Sequence, residues 1–201
     1  DGVRERDRLV HLPYEDFDAT VLRFLDEAAA DPAVITIKAT LYRAGGSSPV
    51  VDSLVRAAEA GKEVVTFVEL KARFDEERNA QWARRLTSAG AHVIYGLVGL
   101  KNHAKMILVV RREGDGVRKY AQISTGNYHA ANARVYTDLG LFTADDELTA
   151  DVSDLFNELT GSSQWPRGSY RKLLVAPHQL LTVLIGRVQR EMAHARAGRG
   201  G

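Results

Sequence analysis

Apolar residues recur along the chain at two alternating periods, one near 3.6 residues and one near 2, the spacings that turn a helix or a strand toward a core. Residues 18–28 (DATVLRFLDEA) follow the helical period, with Asp16 or Asp18 as cap and Asp31-Pro32 as stop. The next run, 33–41 (AVITIKATL), is dense in β-branched residues and predicts a strand. Pro49 stands where a first helical turn accepts proline, and 50–60 carries a helical pattern closed by Gly61. A second strand over 62–70, a polar helix over 75–89 ended by Gly90, and a short strand over 91–95 follow. Strand, helix, strand, helix, strand is the order of a parallel α/β layer.

The pattern then changes. Two apolar runs, 103–110 and 117–123, flank the polar stretch RREGDG and predict an antiparallel hairpin. A short helix over 129–135, a strand over 138–142 and a helix over 145–159 complete the unit. The fold class expected is α/β, a mixed, mostly parallel sheet flanked by helices. The one stretch composed like a linker is GSSQWPRG, 161–168. Beyond it, 173–176 is strand-like and 179–194 places Leu180, Leu184, Val188 and Met192 at helical spacing, before a frayed tail. A strand and a helix alone lack partners for their apolar faces, so the expected organisation is one domain over 1–160 and the truncated start of a second over 161–201.

Composition narrows the classes. The 201 residues carry 27 Lys+Arg against 26 Asp+Glu, so any basic function is local rather than a whole-chain field. Absent cysteine excludes disulfides, thiolate nucleophiles and cysteine-ligated metals, and fits a reducing compartment. No apolar run reaches the roughly 18 residues of a membrane span, and the charged start DGVRERDRLV has no secretion-signal core. A cytoplasmic chain, processed or excised because it lacks an initiator Met, is the expectation.

Ligands of a parallel α/β layer gather at the carboxyl ends of its strands. There the first strand delivers Tyr42-Arg43, the second Lys71-Ala72-Arg73, and the third leads through Lys101-Asn102 to His103. An antiparallel strand starts at the edge where its parallel neighbours end, so His103 opens onto the rim shared with Arg43 and Arg73. The returning hairpin strand brings Ser124, Thr125, Gly126 and Asn127 to the same rim. Guanidinium forks bind phosphate oxygens bidentately, small residues let backbone donors approach, and neutral imidazole attacks phosphorus to form a labile N–P bond. Lys105, two residues along a strand from His103, shares its face and is suited to stabilise charge on a transferred group. Each residue alone has an ordinary reading too. His11, His92, His129, His178 and His194 read as structural, Arg43 and Arg73 as partners of Glu69, Asp75 or Glu76, and Arg84-Arg85 and Arg111-Arg112 as solvated faces.

Taken as strings, ITIKATLYR, VELKARFDEERNAQWARRLTSAGAHVIYG, GLKNHAKMILVVRREG and ISTGNYHAANARVYTDLGLFTAD resemble the first catalytic C-terminal domain of the histidine-using polyphosphate kinase family. HLPYEDF and YRKLLVAP resemble family segments as well, the latter opening the second catalytic domain. The resemblance implies a phospholipase D-like fold and reversible transfer of the terminal phosphoryl of ATP to polyphosphate with Mg²⁺. It implies that His103 is the phosphohistidine nucleophile, that Arg43 and Arg73 belong to the magnesium and phosphate cluster, and that Tyr136 contacts the nucleotide. Since arginine cannot ligate a cation, both arginines read as phosphate clamps. Lys105 and Asn127 match the broader His-x-Lys and Gly-x-Asn pattern of phospholipase D-like sites, whose Asp is replaced by Val110, seven residues beyond His103. The family's partners, ATP or ADP and inorganic polyphosphate, its homo-oligomers and a peripheral rather than spanning membrane association are implied likewise. Family members are several times longer, so half an active site is expected here. The competing expectations are a phospholipase D-like phosphodiesterase and a non-catalytic polyanion-binding module.

Overall fold

The computed structural model describes residues 2–42, 48–69, 76–96, 101–161 and 170–199. A short helix α1 (Gly2–Glu5) leads into strand β1 (Arg8–Leu12). The Asp16 carboxylate then accepts the Ala19 amide at 2.8 Å, opening a π-wound turn over Asp18–Leu22 that runs into α2 (Arg23–Ala30). Strand β2 (Val34–Leu41), α3 (Pro49–Glu59), β3 (Glu63–Val68), α4 (Glu76–Ser88) and β4 (His92–Tyr95) follow in the predicted order. Ser48 caps α3 by accepting the Val51 amide, with Pro49 in the first turn, and Gly61 reverses the chain after it with φ of +80°. The hairpin is β5 (Lys105–Glu113) and β6 (Gly116–Ser124), followed by α5 (Ala130–Ala133), β7 (Asp138–Thr143), α6 (Asp146–Leu159) and α7 (Leu180–Arg196).

The seven strands among the described residues join one sheet in the order β1-β7-β6-β5-β2-β3-β4. The expected mixed sheet between helices is present, but "mostly parallel" is corrected: only β2-β3 and β3-β4 pair parallel, and the other four pairs are antiparallel. Side-chain alternation on the central strands separates two cores. Ile107 and Val109 of β5 face the cluster containing Leu25, Val51, Leu54 and Leu86, whereas Met106 and Leu108 join Val152, Phe156 and Leu159 of α6. A strand buried on both faces reads as a continuous apolar run, which is why β5 was easy to find. Two further differences have local causes. Glu113 pairs with Gly116, so the turn is only Gly114-Asp115, and Arg111 and Arg112 lie within β5. Edge strand β1, which the apolar pattern did not predict, buries only Val10 and Leu12.

Residues 173–175 have no regular secondary structure and 176 lies in a turn, correcting the expected strand. What holds them is a carboxylate. Buried Asp151 of α6 accepts the amides of Arg171, Lys172 and Leu173, while Tyr170, Leu173 and Val175 pack into the α6 core. Helix α7 buries none of its residues and exposes Leu181, Leu184, Ile185, Val188 and Met192.

Candidate active site

One edge of the sheet collects the chemistry. Strands β2, β3 and β4 run parallel and end there at Leu41, Val68 and Tyr95; β5, antiparallel to β2, begins there at Lys105. Strand β6 ends there at Ser124, opposite Lys105, and β7 begins there at Asp138, two residues before Gly140 pairs with Ser124.

The segment before β5 is strapped to its neighbours by polar groups that are otherwise buried. Thr40 Oγ1 donates to the Ala104 carbonyl at 2.7 Å and accepts the Met106 amide at 3.0 Å. The Asn102 amide donates to Glu69 Oε2 at 2.9 Å, and Asn102 Oδ1 accepts the Ala104 amide at 3.2 Å. Asn79 Nδ2 in turn donates to the carbonyls of Glu69 and Tyr42. His103 therefore projects exposed from a short segment whose backbone is fixed on both sides. The Tyr42 ring stands edge-to-face with its imidazole, with centroids 5.0 Å apart.

Opposite stands the loop after β6. The Thr125 amide donates to the Leu139 carbonyl, and its hydroxyl donates to Asp138 Oδ1 at 2.8 Å while accepting the Leu139 amide. Ser124 Oγ accepts the Gly126 amide at 3.2 Å. Glycine is required at 126 because a Cβ there would lie 2.5 Å from the Asp138 Cγ. Buried Tyr128 anchors the loop, its hydroxyl donating to fully buried Gln122 at 2.6 Å.

A cavity of about 190 Å³ between these two sides is lined by His103, Lys105, Thr125, Gly126, Asn127, Asn132, Tyr136 and Asp138. Lys105 is 5% exposed, and burial pushes its ammonium down to about 8, opposed by the Asp138 carboxylate. Asn127 Oδ1 is buried with no hydrogen-bond partner among the described residues. The cavity thus presents one imidazole, one amine that is costly to keep charged in isolation, the Asp138 carboxylate that offsets this cost, and amide and hydroxyl groups: a constellation in which a small anionic group would meet the amine next to a nucleophile. A second, largely apolar cavity of about 370 Å³ abuts His103 and Lys105 from the α6 side.

The structure brings together six predicted residues, His103, Lys105, Thr125, Gly126, Asn127 and Tyr136, with Ser124 beside them at the end of β6. Tyr136 is 61% exposed, a free aromatic face at the cavity's edge. Arg43 and Arg73 lie outside the described residues; the strand ends that precede them border the same edge. Sequence reasoning passed over Asp138 and Asn132 and placed Tyr42 at the rim without a role; the Ser124↔Gly140 register is the signal that would have placed Asp138 here. The other histidines have structural contacts or lie elsewhere. His178 Nε2 meets Glu158 at 2.7 Å, His129 Nδ1 accepts the Asn132 amide, and His11 packs on Tyr14. Of the arginine doublets, Arg111 is not merely solvated: it pairs with Asp31 at 2.8 Å. Among the described residues no three His, Asp or Glu side chains converge as a ready-made ion cage.

The chain is similar to known proteins in sequence and in fold. The family model for polyphosphate kinase C-terminal domain 1 matches residues 1–165. Polyphosphate kinase of Streptomyces coelicolor (strain ATCC BAA-471 / A3(2) / M145) is 55% identical over 198 residues, 98% of this chain and 26% of that protein. The Mycobacterium avium (strain 104) polyphosphate kinase is 57% identical over 199 residues, 98% and 27% of the two chains. The chain thus spans about a quarter of the length of these curated relatives. Among solved structures, polyphosphate kinase from Porphyromonas gingivalis superposes with a TM-score of 0.86 at 38% identity, over 98% of this chain and 32% of that one. The phospholipase D family member Nuc from Salmonella typhimurium superposes with a TM-score of 0.61 at 13% identity, over 77% of this chain and 93% of that one, a likeness of fold alone.

Proposed function

We propose, because the chain belongs to the polyphosphate kinase C-terminal domain 1 family, that it carries the nucleophile-bearing half of an ATP:polyphosphate phosphotransferase site. The observation that supports this most is the position of His103 at the head of β5, with Lys105 and the Ser124–Asn127 loop across a small polar cavity. The imidazole attacks the terminal phosphorus of ATP in line. An N–P bond forms, the bond from that phosphorus to the bridging oxygen breaks, and its electron pair leaves on ADP. A terminal oxygen of polyphosphate then attacks the same phosphorus, the N–P bond breaks, and the polymer is longer by one phosphate. The reverse sequence regenerates ATP.

In this reading Lys105 neutralises charge on the transferred group, and Thr125 and Gly126 hold the Asp138 carboxylate beside that amine. Tyr136 offers its exposed ring to the nucleotide, and Arg43 and Arg73, each following a strand that ends at this edge, clamp phosphate oxygens bidentately. Mg²⁺ enters with ATP as part of the substrate complex. Residues 1–160 are read as the first catalytic domain and 161–201 as linker and start of a second, which would supply the remaining half of the site in a homo-oligomeric cytoplasmic enzyme. Among the described residues no helix is long and apolar enough to cross a membrane.

The test is intact-mass analysis after incubation with MgATP and, separately, with long-chain polyphosphate. The expected result is an acid-labile, base-stable adduct of one phosphoryl group that His103→Ala abolishes. An adduct that persists in His103→Ala would remove the proposed nucleophile. Saturable, salt-dependent polyphosphate binding with no adduct in either protein would favour the binding-module reading.

A further inference from the structure

At the end of the β5-β6 hairpin farthest from His103, arginines converge on one carboxylate. Glu113 stands eight residues beyond Lys105 on β5, which at about 3.3 Å per residue is roughly 26 Å from the head of that strand. Its side chain is 12% exposed. The Tyr120 hydroxyl donates to Glu113 Oε1 at 2.5 Å and Arg111 Nη1 lies 3.3 Å from the same oxygen, while Arg118 Nε and Arg4 Nη1 stand 3.3 and 3.6 Å from Oε2. Asp31 pairs with Arg111 from the side at 2.8 Å. The register sets Arg111 directly opposite Arg118, a like-charge cross-strand pair that repels unless a counter-charge stands by. Glu113 supplies that charge from a more buried position, and all three guanidinium side chains keep more than a third of their surface exposed. Arg112, on the other face of β5, is exposed, and its side chain has no partner among the described residues. A groove of about 440 Å³ runs along these four arginines, past Gly114 and Gly116, where a Cβ would meet nothing within 4 Å. Asp115 of the turn does not line it.

We propose that this groove is a second polyphosphate-binding site, remote from His103, which holds the body of a long polymer while its end reacts at the rim. The choice of polymer rests on the reading of the rim as a phosphotransferase site; the anion site itself does not. Guanidiniums fixed by a partly buried carboxylate lose little freedom when they grip an anion, and their forks match phosphate oxygens. Four of them face Glu113 and Asp31, so the groove keeps a net positive charge. Successive phosphorus atoms of polyphosphate share one bridging oxygen, whereas in nucleic acid a sugar separates the phosphates. Arg111 and Arg118, directly opposite on strands about 5 Å apart, suit the closer spacing of charge. A polymer can also use both ends of the hairpin at once. Linked contacts act through effective concentration, so a long chain gains affinity over a short one without any new kind of contact. Tripolyphosphate, too short to run the length of β5, has no such gain.

NMR titrations of this chain with tripolyphosphate, long-chain polyphosphate and single-stranded DNA at physiological ionic strength test it. Both phosphate ligands are expected to shift the Gly114 and Gly116 amides and the Arg111 and Arg118 Nε protons, and the long chain to bind more tightly than tripolyphosphate. In the double variant Arg112→Gln, Arg118→Gln the hairpin shifts should vanish, long-chain affinity should fall about tenfold, and the dependence of log affinity on log salt should flatten by about one unit per guanidinium removed. Phosphorylation of His103 by MgATP should be unchanged in that variant. Shifts confined to residues around His103 and Thr125, or a double variant that binds the polymer like the parent, would overturn the proposal. So would DNA bound as tightly through the same residues, which makes the groove a general polyanion surface. If the double variant loses its dispersed spectrum, Arg112→Gln alone decides, since that side chain makes no contact to lose: a two- to threefold weaker polymer affinity supports the site, and an unchanged one overturns it. The two readings fail separately, because hairpin shifts without a phosphohistidine keep the groove and remove the enzymatic reading, and a phosphohistidine without hairpin shifts does the reverse.

Discussion

Lys105 offers a quantitative check on the electrostatics of the cavity. Its side chain is almost wholly buried at the start of β5, and desolvation moves its titration from 10.5 to about 8 even against the attraction of Asp138. The unfolded chain therefore binds the proton more tightly than the folded one. Between about pH 8 and about pH 10.5 the unfolded state holds more protons, so stability contributed through this group rises with pH across that window. Below pH 8 the full cost of a buried ammonium is present, and above pH 10.5 it is gone. At about 1.36 kcal/mol per pH unit, the gap corresponds to at most about 3 kcal/mol, less whatever the flexible stem recovers by tilting its amine toward water. Lys105→Met keeps the stem and deletes the charge. Urea unfolding followed by circular dichroism at pH 7, 8, 9, 10 and 10.5 should show the variant more stable than the parent at pH 7 by as much as about 3 kcal/mol, with the difference closing toward zero at the alkaline end. A difference that is constant across the series would refute the desolvation argument. The same amine should lose phosphate affinity as it deprotonates, so phosphorylation of His103 in the parent chain should fall at alkaline pH with a midpoint at or above 8, since a bound anion favours the charged form.

Two further substitutions probe the frame around the cavity. Gly126→Ala forces a methyl group into the Asp138 carboxylate and breaks its bond from Thr125, which should destabilise the chain by about 1 to 3 kcal/mol and lower the phosphohistidine yield; an unchanged melting temperature and yield would mean that the loop gives way freely. Asp151→Ala strands three backbone amides, those of Arg171, Lys172 and Leu173, and should cost about 3 kcal/mol in urea unfolding with faster amide hydrogen exchange at those positions, whereas a loss below about 0.5 kcal/mol would show that apolar contacts alone hold the segment.

How much of this was legible in the sequence differs by the range of the interaction involved. Helices and strands that bury a full stripe announce themselves through their period, and the predicted spans of β2, β3, α3 and α6 fall within two residues of the observed ones. Strand β1 was not found because, at an edge, it turns only Val10 and Leu12 inward, and two residues make no period. The balance of parallel and antiparallel pairs was misjudged because strand direction depends on which strands become neighbours, and a local run of apolar residues says nothing about that. The convergence of His103, Lys105 and the loop after β6 was legible, since it needs only one rule: an antiparallel strand begins where its parallel neighbours end. The site's carboxylate escaped the same logic. Counting seven residues along from His103 reaches Val110, which pairs with Lys119 well along the hairpin from the rim and could not serve a group at the head of β5. Asp138 reaches the cavity from another strand, where the β6-β7 register sets Gly140 against Ser124 and the missing side chain at Gly126 leaves room for a carboxylate. An acidic partner placed by register can lie any distance away in sequence, so its absence from a spacing motif carries no weight. What carries weight is a glycine whose extra methyl group would collide with that acid.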